Sequence, residues 1–288
     1  MKPELECAPC VLKWVYERAG IRANDERRFE LFRRLSAVLS RELNPETNVA
    51  LLNNQITRSI DDYLSDSAEY YEETKLKSNQ IAHQILPAAR NFIEKGRTEK
   101  ERIERACFLA SGTNIAPTGA PSEAFKFQEA LNIMKWREPL PILKGDVYEA
   151  IQKAARIFYL ADNAGEIGFD GLLIAKLMEM GLKVTLIVKE ALFFEDATMK
   201  DVVFFNLHRS VDEILTVDRF FLPGQTTNSL EQAFQKSDLI ITKGTGNYEA
   251  LKGEVEGKQI IYMLKVKCNP VAKNTEANIG SFVVKVEK

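Results

Sequence analysis

The sequence is poor in histidine and cysteine and has no long apolar run. It contains only two histidines, His83 and His208, so a histidine-rich zinc site is not expected, and neither has a Ser or Cys partner for a catalytic triad. Its longest wholly apolar runs are short pieces such as 239–241, far below the ~20 residues a membrane-spanning helix requires. Charge of one sign is also missing. With 39 Lys and Arg against 41 Asp and Glu, the formal net charge is −2, which argues against a nucleic-acid binder relying on a broad cationic field and excludes an acidic disordered chain. The first residues, Met-Lys-Pro-Glu-Leu-Glu-Cys, lack the apolar stretch of a secretory signal, so the expected compartment is the cytoplasm. Four cysteines there read as thiols or metal ligands and not as disulfides. There is no internal repeat and no low-complexity segment.

The 288 residues, 45% hydrophobic, suffice for one large or two ordinary domains. Glycine usage changes near residue 148: five of the fifteen lie before it and ten after. The expected organisation is a helical domain over 1–148 and an α/β core over 149–288.

In the first stretch, Phe29, Phe32, Leu35, Leu39 and Leu43 recur at helical spacing and predict one buried face over 25–43. Thr98 followed by Glu101 forms a capping-box pattern ahead of a helix at 103–110. Pro45, Pro87, Pro117, Pro121, Pro139 and Pro141 predict several helices of modest length. Arg27, Arg28, Arg33 and Arg34 have acidic neighbours and read as a solvated face. Trp14 and Trp136 fall in apolar helical segments and read as packing residues, and Cys107 as a small core residue.

From about residue 156 the pattern changes. Short apolar runs at 156–161, 183–188, 213–217, 238–242 and 259–264 read as buried strands, with helices at 167–180 and 229–236 between some of them. Such alternation predicts a doubly wound, mostly parallel sheet with helices on both faces, and a last strand at 281–287 closing one edge.

Open α/β sheets bind ligands outside the carboxyl ends of their strands. Three segments there are chemically unusual: Ala161 to Asp170, dense in oxygen ligands around two glycines; Glu195-Asp196-Ala197-Thr198; and Lys243-Gly244-Thr245-Gly246-Asn247. Carboxylate and amide oxygens suit hard cations such as magnesium or manganese, and a lysine beside glycines suits a phosphate. Asp-Asn after a strand also serves as a helix cap, and Gly-Thr-Gly as a plain turn. A nicotinamide-binding fingerprint fails on these glycines, because the third is absent and the segment follows a late strand.

Together, Asp162 to Asp170, Asp196-Ala197-Thr198, Lys243 to Asn247 and Leu264 to Cys268 resemble the metal-dependent damage-control phosphatases, over nearly the whole chain. That family includes proteins once described as acidic-residue methyltransferases. Cys7-Ala8-Pro9-Cys10 and Lys267-Cys268 look like the cysteine motifs of its archaeal and bacterial subfamily. The resemblance implies Asp162, Asn163 and Asp196 as catalytic and metal-ligating residues for Mn2+, Ni2+, Co2+ or Mg2+. It implies Lys243, Gly244, Thr245, Gly246 and Asn247 as the substrate loop, with Lys265 as a phosphate contact whose register Lys267 contests. Glu166, Asp170 and Asn114 are accessory positions. Two departures stand out. Gly112-Thr113-Asn114 carries no following acid, and Tyr262-Met263-Leu264-Lys265 replaces the arginine-threonine pair of the eukaryotic branch.

The expected activity is hydrolysis of small phosphorylated metabolites, such as sugar phosphates or damaged nucleotides, with no nucleic-acid or membrane partner. Attack by water is favoured over an aspartyl-phosphate on Asp162, since residue 164 is Ala and the Asp-x-Asp arrangement is missing. Two rivals remain: carboxyl methyl transfer from S-adenosylmethionine, and a non-enzymatic redox or soft-metal role for Cys7, Cys10 and Cys268. A clamp of those thiols joining the N-terminus to the core is the preferred thiol reading.

Overall fold

A computed structural model describes residues 1–116 and 123–288. Pro117 and Pro121 of the expected punctuation lie outside the described residues. Helices come first: α1 Cys7–Ala19, α2 Asp25–Glu42, α3 Val49–Arg58, α4 Asp61–Asp66, α5 Ala68–Glu94, α6 Glu99–Gly112 and α7 Gln128–Met134. Then follow β1 Ile142–Lys144, α8 Val147–Gln152, β2 Arg156–Leu160, α9 Glu166–Glu179, β3 Lys183–Lys189, α10 Met199–Phe204 and β4 Glu213–Val217. The chain ends with α11 Asn228–Lys236, β5 Leu239–Lys243, α12 Gly244–Leu251, β6 Gln259–Lys265, α13 Asn269–Thr275 and β7 Phe282–Glu287.

The strands form one seven-stranded sheet in the order β1-β7-β6-β5-β2-β3-β4, parallel except for the β6–β7 pair. This is the doubly wound arrangement that the alternating pattern predicts. Side-chain parity sorts its two faces. Ile157, Tyr159, Val184, Leu186, Leu239 and Ile241 point into one apolar core, covered by α5 to α9. Phe158, Leu160, Ile187, Ile240, Tyr262 and Leu264 point into the other, covered by α1 to α4 and α11 to α13. Both cores therefore mix residues from before and after position 148.

Three local expectations are corrected. The last strand does not close an edge, because β1, only three residues long and too short to show as a pattern, pairs outside it. The buried face of α2 is Leu31, Leu35 and Val38, whereas Phe29 is 75% and Phe32 46% exposed. Both sets satisfy helical spacing, and contact with the rest of the molecule chooses between them. Pro87 lies inside the 27-residue α5, where Ala89, Phe92 and Ile93 are buried beyond it, so core packing outweighs the lost helical hydrogen bond. Trp136 is half exposed beside Arg105, and Cys107 is in the core. The arginines of α2 form surface pairs, Arg27 with Asp66 and Arg34 with Asp62. Thr98 caps α6 by accepting from the Glu101 amide at 3.1 Å.

Candidate active site

Strand order reverses between β2 and β5, so the loops after them diverge and leave a crevice at their carboxyl ends. A cavity of about 220 Å³ occupies this end of the molecule. Asp162 and Asn163 reach it from the loop after β2, Glu195 and Asp196 from the loop after β3, and Thr245, Gly246 and Glu249 from α12. Lys267 and Cys268 follow β6, while Cys7, Cys10, Trp14 and Arg18 project from α1.

Backbone pairing brings the two acidic loops together. The Ala164 amide donates to Glu195 O at 2.9 Å and the Ala197 amide to Asp162 O at 2.7 Å, a short antiparallel bridge between Asn163 and Asp196. A second bridge, from the Lys189 amide to Ala197 O at 2.8 Å, ties the loop back to β3. Asp162 and Asn163, adjacent in sequence, and the distant Asp196 thus face one cavity.

Their polar atoms are arranged with a bias. Asp162 Oδ2 accepts from Asn114 Nδ2 at 2.7 Å and Asn163 Nδ2 at 2.8 Å. Asn163 Nδ2 also donates to Glu166 Oε2 at 3.0 Å, which leaves the amide oxygen of Asn163 for the cavity. Asp196 Oδ2 is buried without a hydrogen-bond donor among the described residues, its charge partner being Lys189 Nζ at 3.3 Å. Burial, reinforced by Glu166, pushes the Asp162 carboxyl up to about 6. Burial likewise pushes Asp196 up to about 7 against the pull of Lys189. A buried oxygen lacking a donor, in a set of two carboxylates and one amide, fits a hard divalent cation. Among the described residues no three His, Cys, Asp or Glu side chains gather into a metal site, so a cation held here would also need the amide oxygen of Asn163. The same holds for the thiols, which form no ready metal cage.

Gly244 is where a side chain is forbidden. Its φ is +82°, and an added Cβ would lie 2.0 Å from Asp162 Oδ2.

The lysines depart from expectation. Lys243 does not wall the cavity: fully buried, it pairs with Glu166 at 2.5 Å and Asp170 at 2.7 Å. Burial works against its charge, yet those two carboxylates outweigh it and hold the ammonium above its ordinary value. Glu166 and Asp170 are themselves pushed up by burial. Lys265 is turned aside, its ammonium 5.1 Å from the Phe282 ring. Two residues on, Lys267 faces the cavity. Burial lowers its pKa while Asp162 and Glu166 pull it back up. Asn247 is committed to Ala161 O at 3.1 Å and Lys243 O at 2.8 Å, so it braces β2 against α12. Asn114 does face the site: its amide donates to Asp162 and Glu166, and its oxygen accepts from the Lys265 amide at 3.2 Å.

Cys7, Cys10 and Cys268 all border the cavity as free thiols. Burial raises each of them, Cys10 to about 11 and Cys268 to about 12, so they are protonated at neutral pH. The sequence pattern does not place Arg18 at the cavity and reads Trp14 as a packing residue. Arg18 is buried in an ion pair with Glu195 at 3.1 Å, and Trp14 joins Phe194 and Phe220 in an aromatic wall. The spacing 7, 10, 14, 18 marks one helical face and was the available signal.

The protein is thus a doubly wound α/β protein whose switch-point crevice is lined by two carboxylates, an amide and a lysine. Residues 4–283 match the damage-control phosphatase ARMT1-like domain, and the chain belongs to that family. It is 29% identical over 296 residues to a damage-control phosphatase of Archaeoglobus fulgidus, covering 99% of both chains. A damage-control phosphatase of Pyrococcus horikoshii is 27% identical over 290 residues, with 98% of this chain and 97% of the relative covered. The crystal structure of a DUF89 family protein from Pyrococcus horikoshii has the same fold, with a TM-score of 0.81 at 24% identity and 100% of both chains covered. Among the described residues no helix is long and apolar enough to cross a membrane.

Proposed function

We propose that the protein is a divalent-metal-dependent phosphomonoesterase acting on small phosphorylated metabolites. The observation that carries this reading is the meeting of Asp162, Asn163 and Asp196 on one cavity wall with Lys267 on the same cavity. The two carboxylates and the Asn163 amide oxygen would hold Mg2+, Mn2+, Co2+ or Ni2+. Bound there, such an ion polarises a phosphoryl oxygen and lowers the cost of negative charge in the transition state. Lys267 neutralises phosphate oxygens, and Thr245 and Gly246 bring the amino end of α12 to the same cavity. Asn114 and Glu166 hold Asp162 and Asn163 in position. Water, not Asp162, would be the nucleophile in this scheme, because residue 164 is Ala and the Asp-x-Asp arrangement of an aspartyl-phosphate mechanism is missing. A cavity of about 220 Å³ is below the ~300–1,000 Å³ typical of drug-sized ligands, which favours sugar phosphates over larger nucleotides.

Metal-stripped protein is expected to hydrolyse no phosphate ester, and to recover turnover when Mg2+, Mn2+, Co2+ or Ni2+ is returned separately. Equal release of inorganic phosphate in chelator would refute the metal requirement.

Cation binding also has a pH signature. The Asp162 and Asp196 carboxyls sit at about 6 and about 7, above the 3.8 of a free Asp. The folded protein therefore retains protons that the unfolded chain has released. Without a cation, the stability linked to them is complete below about pH 4 and is lost as pH rises through 6 to 7. A divalent cation replaces those protons. Millimolar Mn2+ is expected to raise Tm little at pH 5 and by roughly 5 °C or more at pH 8. A shift independent of pH would place the cation elsewhere.

A further inference from the structure

The cavity has a second end that the phosphate chemistry does not use. α12 packs on α3, and these helices carry Glu249 and Asn53 to the cavity wall beside Cys7, Cys10 and Cys268. Asn53 is 4% exposed, yet its Oδ1 is buried with no hydrogen-bond partner among the described residues. Glu249 is partly buried, and its carboxylate makes no hydrogen bond or ion pair among the described residues. The other acids on this wall are occupied. Glu195 holds Arg18, Glu6 accepts from Asn269 at 3.1 Å, and Asp162 and Asp196 belong to the cation end. The neighbouring thiols are protonated, so they supply no competing anion.

A buried acceptor with no donor costs about 1–3 kcal/mol, so Asn53 Oδ1 marks a place where a ligand's donor completes the structure, and the uncommitted Glu249 carboxylate stands on the same cavity wall. Resting on the phosphatase reading for the other end of the cavity, we propose that Asn53 and Glu249 form the specificity subsite, selecting phosphate esters whose body carries hydroxyl or amino hydrogen donors. The aromatic side formed by Trp14, Phe194 and Phe220 gives that body an apolar surface between the two ends. Burial pushes Glu249 up to about 7 against the pull of the amino terminus and Lys267, so near neutrality it is available in charged and neutral forms. A hydroxyl can serve either form, and an ammonium only the first.

The matched probes are glycerol 1-phosphate, which has donors, and n-propyl phosphate, which has the same carbon count and none. Binding to the full chain with Mn2+ is read by calorimetry, and turnover by phosphate release. Wild type is expected to prefer glycerol 1-phosphate by about 10- to 100-fold. In Asn53→Leu and Glu249→Leu that ratio is expected to fall toward one, and Glu249→Gln, which keeps an acceptor oxygen, restores part of it. Equal affinities in wild type, or losses in the variants that are the same for both esters, would overturn the subsite. Should wild type bind the esters and hydrolyse neither, the phosphatase reading fails while the binding ratio still decides the subsite.

Discussion

Lys243→Met is expected to lower stability by about 3–5 kcal/mol, enough to leave much of the protein unfolded at 37 °C. The substitution keeps an unbranched apolar chain as far as Cε, with sulfur in place of Cδ, and removes the ammonium. That ammonium is the shared partner of Glu166 and Asp170, both fully buried beneath β2 and β5. Without it two carboxyls face each other in an apolar interior and must take up protons or water to remain there. Their pKa values, already raised by burial, are expected to climb further, so the variant should recover part of its stability in acid. Urea denaturation at pH 5 and pH 8 measures both effects. Wild-type stability in Lys243→Met would show that the triad contributes nothing net, and selective loss of phosphate affinity would return the lysine to the substrate. Lys267→Ala provides the contrast: it is expected to keep the fold and lose activity, since Lys267 borders the cavity and forms no ion pair among the described residues.

Asp162→Ala is expected to lower kcat/KM on the order of 10³-fold or more and to abolish the stabilisation by Mn2+ at pH 8. The same change should cost metal-free protein little stability. The carboxyl it removes is held at about 6 by burial, an unfavourable placement that the alanine relieves, although Asn114 and Asn163 each lose an acceptor. Activity lost with stability kept is the mark of a residue placed for chemistry, because such residues are retained at a cost to the fold. Thermal melts with and without Mn2+, paired with phosphate release, decide the matter. A variant that melts early with or without the ion would assign Asp162 to the architecture.

These two residues lie on opposite sides of what sequence can reveal. Asp162 was legible: acids and an amide directly after a strand in an α/β pattern point to the crevice, and parity does not matter in a loop. Lys243 looked equally suited, as a lysine beside glycines at a strand end. Which way a strand-end side chain turns depends on what lies beneath it, and here Glu166 and Asp170, one helical turn apart on α9, draw the ammonium inward. The choice between Lys265 and Lys267 is of the same kind. Lys265 ends β6 and turns toward Phe282, and the chain must leave the sheet before a lysine faces the cavity.

The sequence by itself determined the layers: period-two and helical hydrophobic patterns specify which segments become strands and helices, and alternation between them forces parallel pairing and crossovers. It also determined the chemical inventory of the loops that carry Asp162, Asn163 and Asp196. Tertiary structure decided the strand order at the sheet edge, where β1 is too short to carry a pattern, and the buried face of α2, where two sets share one period. It alone laid α3 along the crevice and turned Trp14, Arg18 and Asn53 toward acidic loops that lie more than a hundred residues away. The physical reason is common to all of these. Local pattern reports what a segment tends to form and which residues share a face, whereas the orientation of that face is fixed by apolar area and charge contributed from distant parts of the chain.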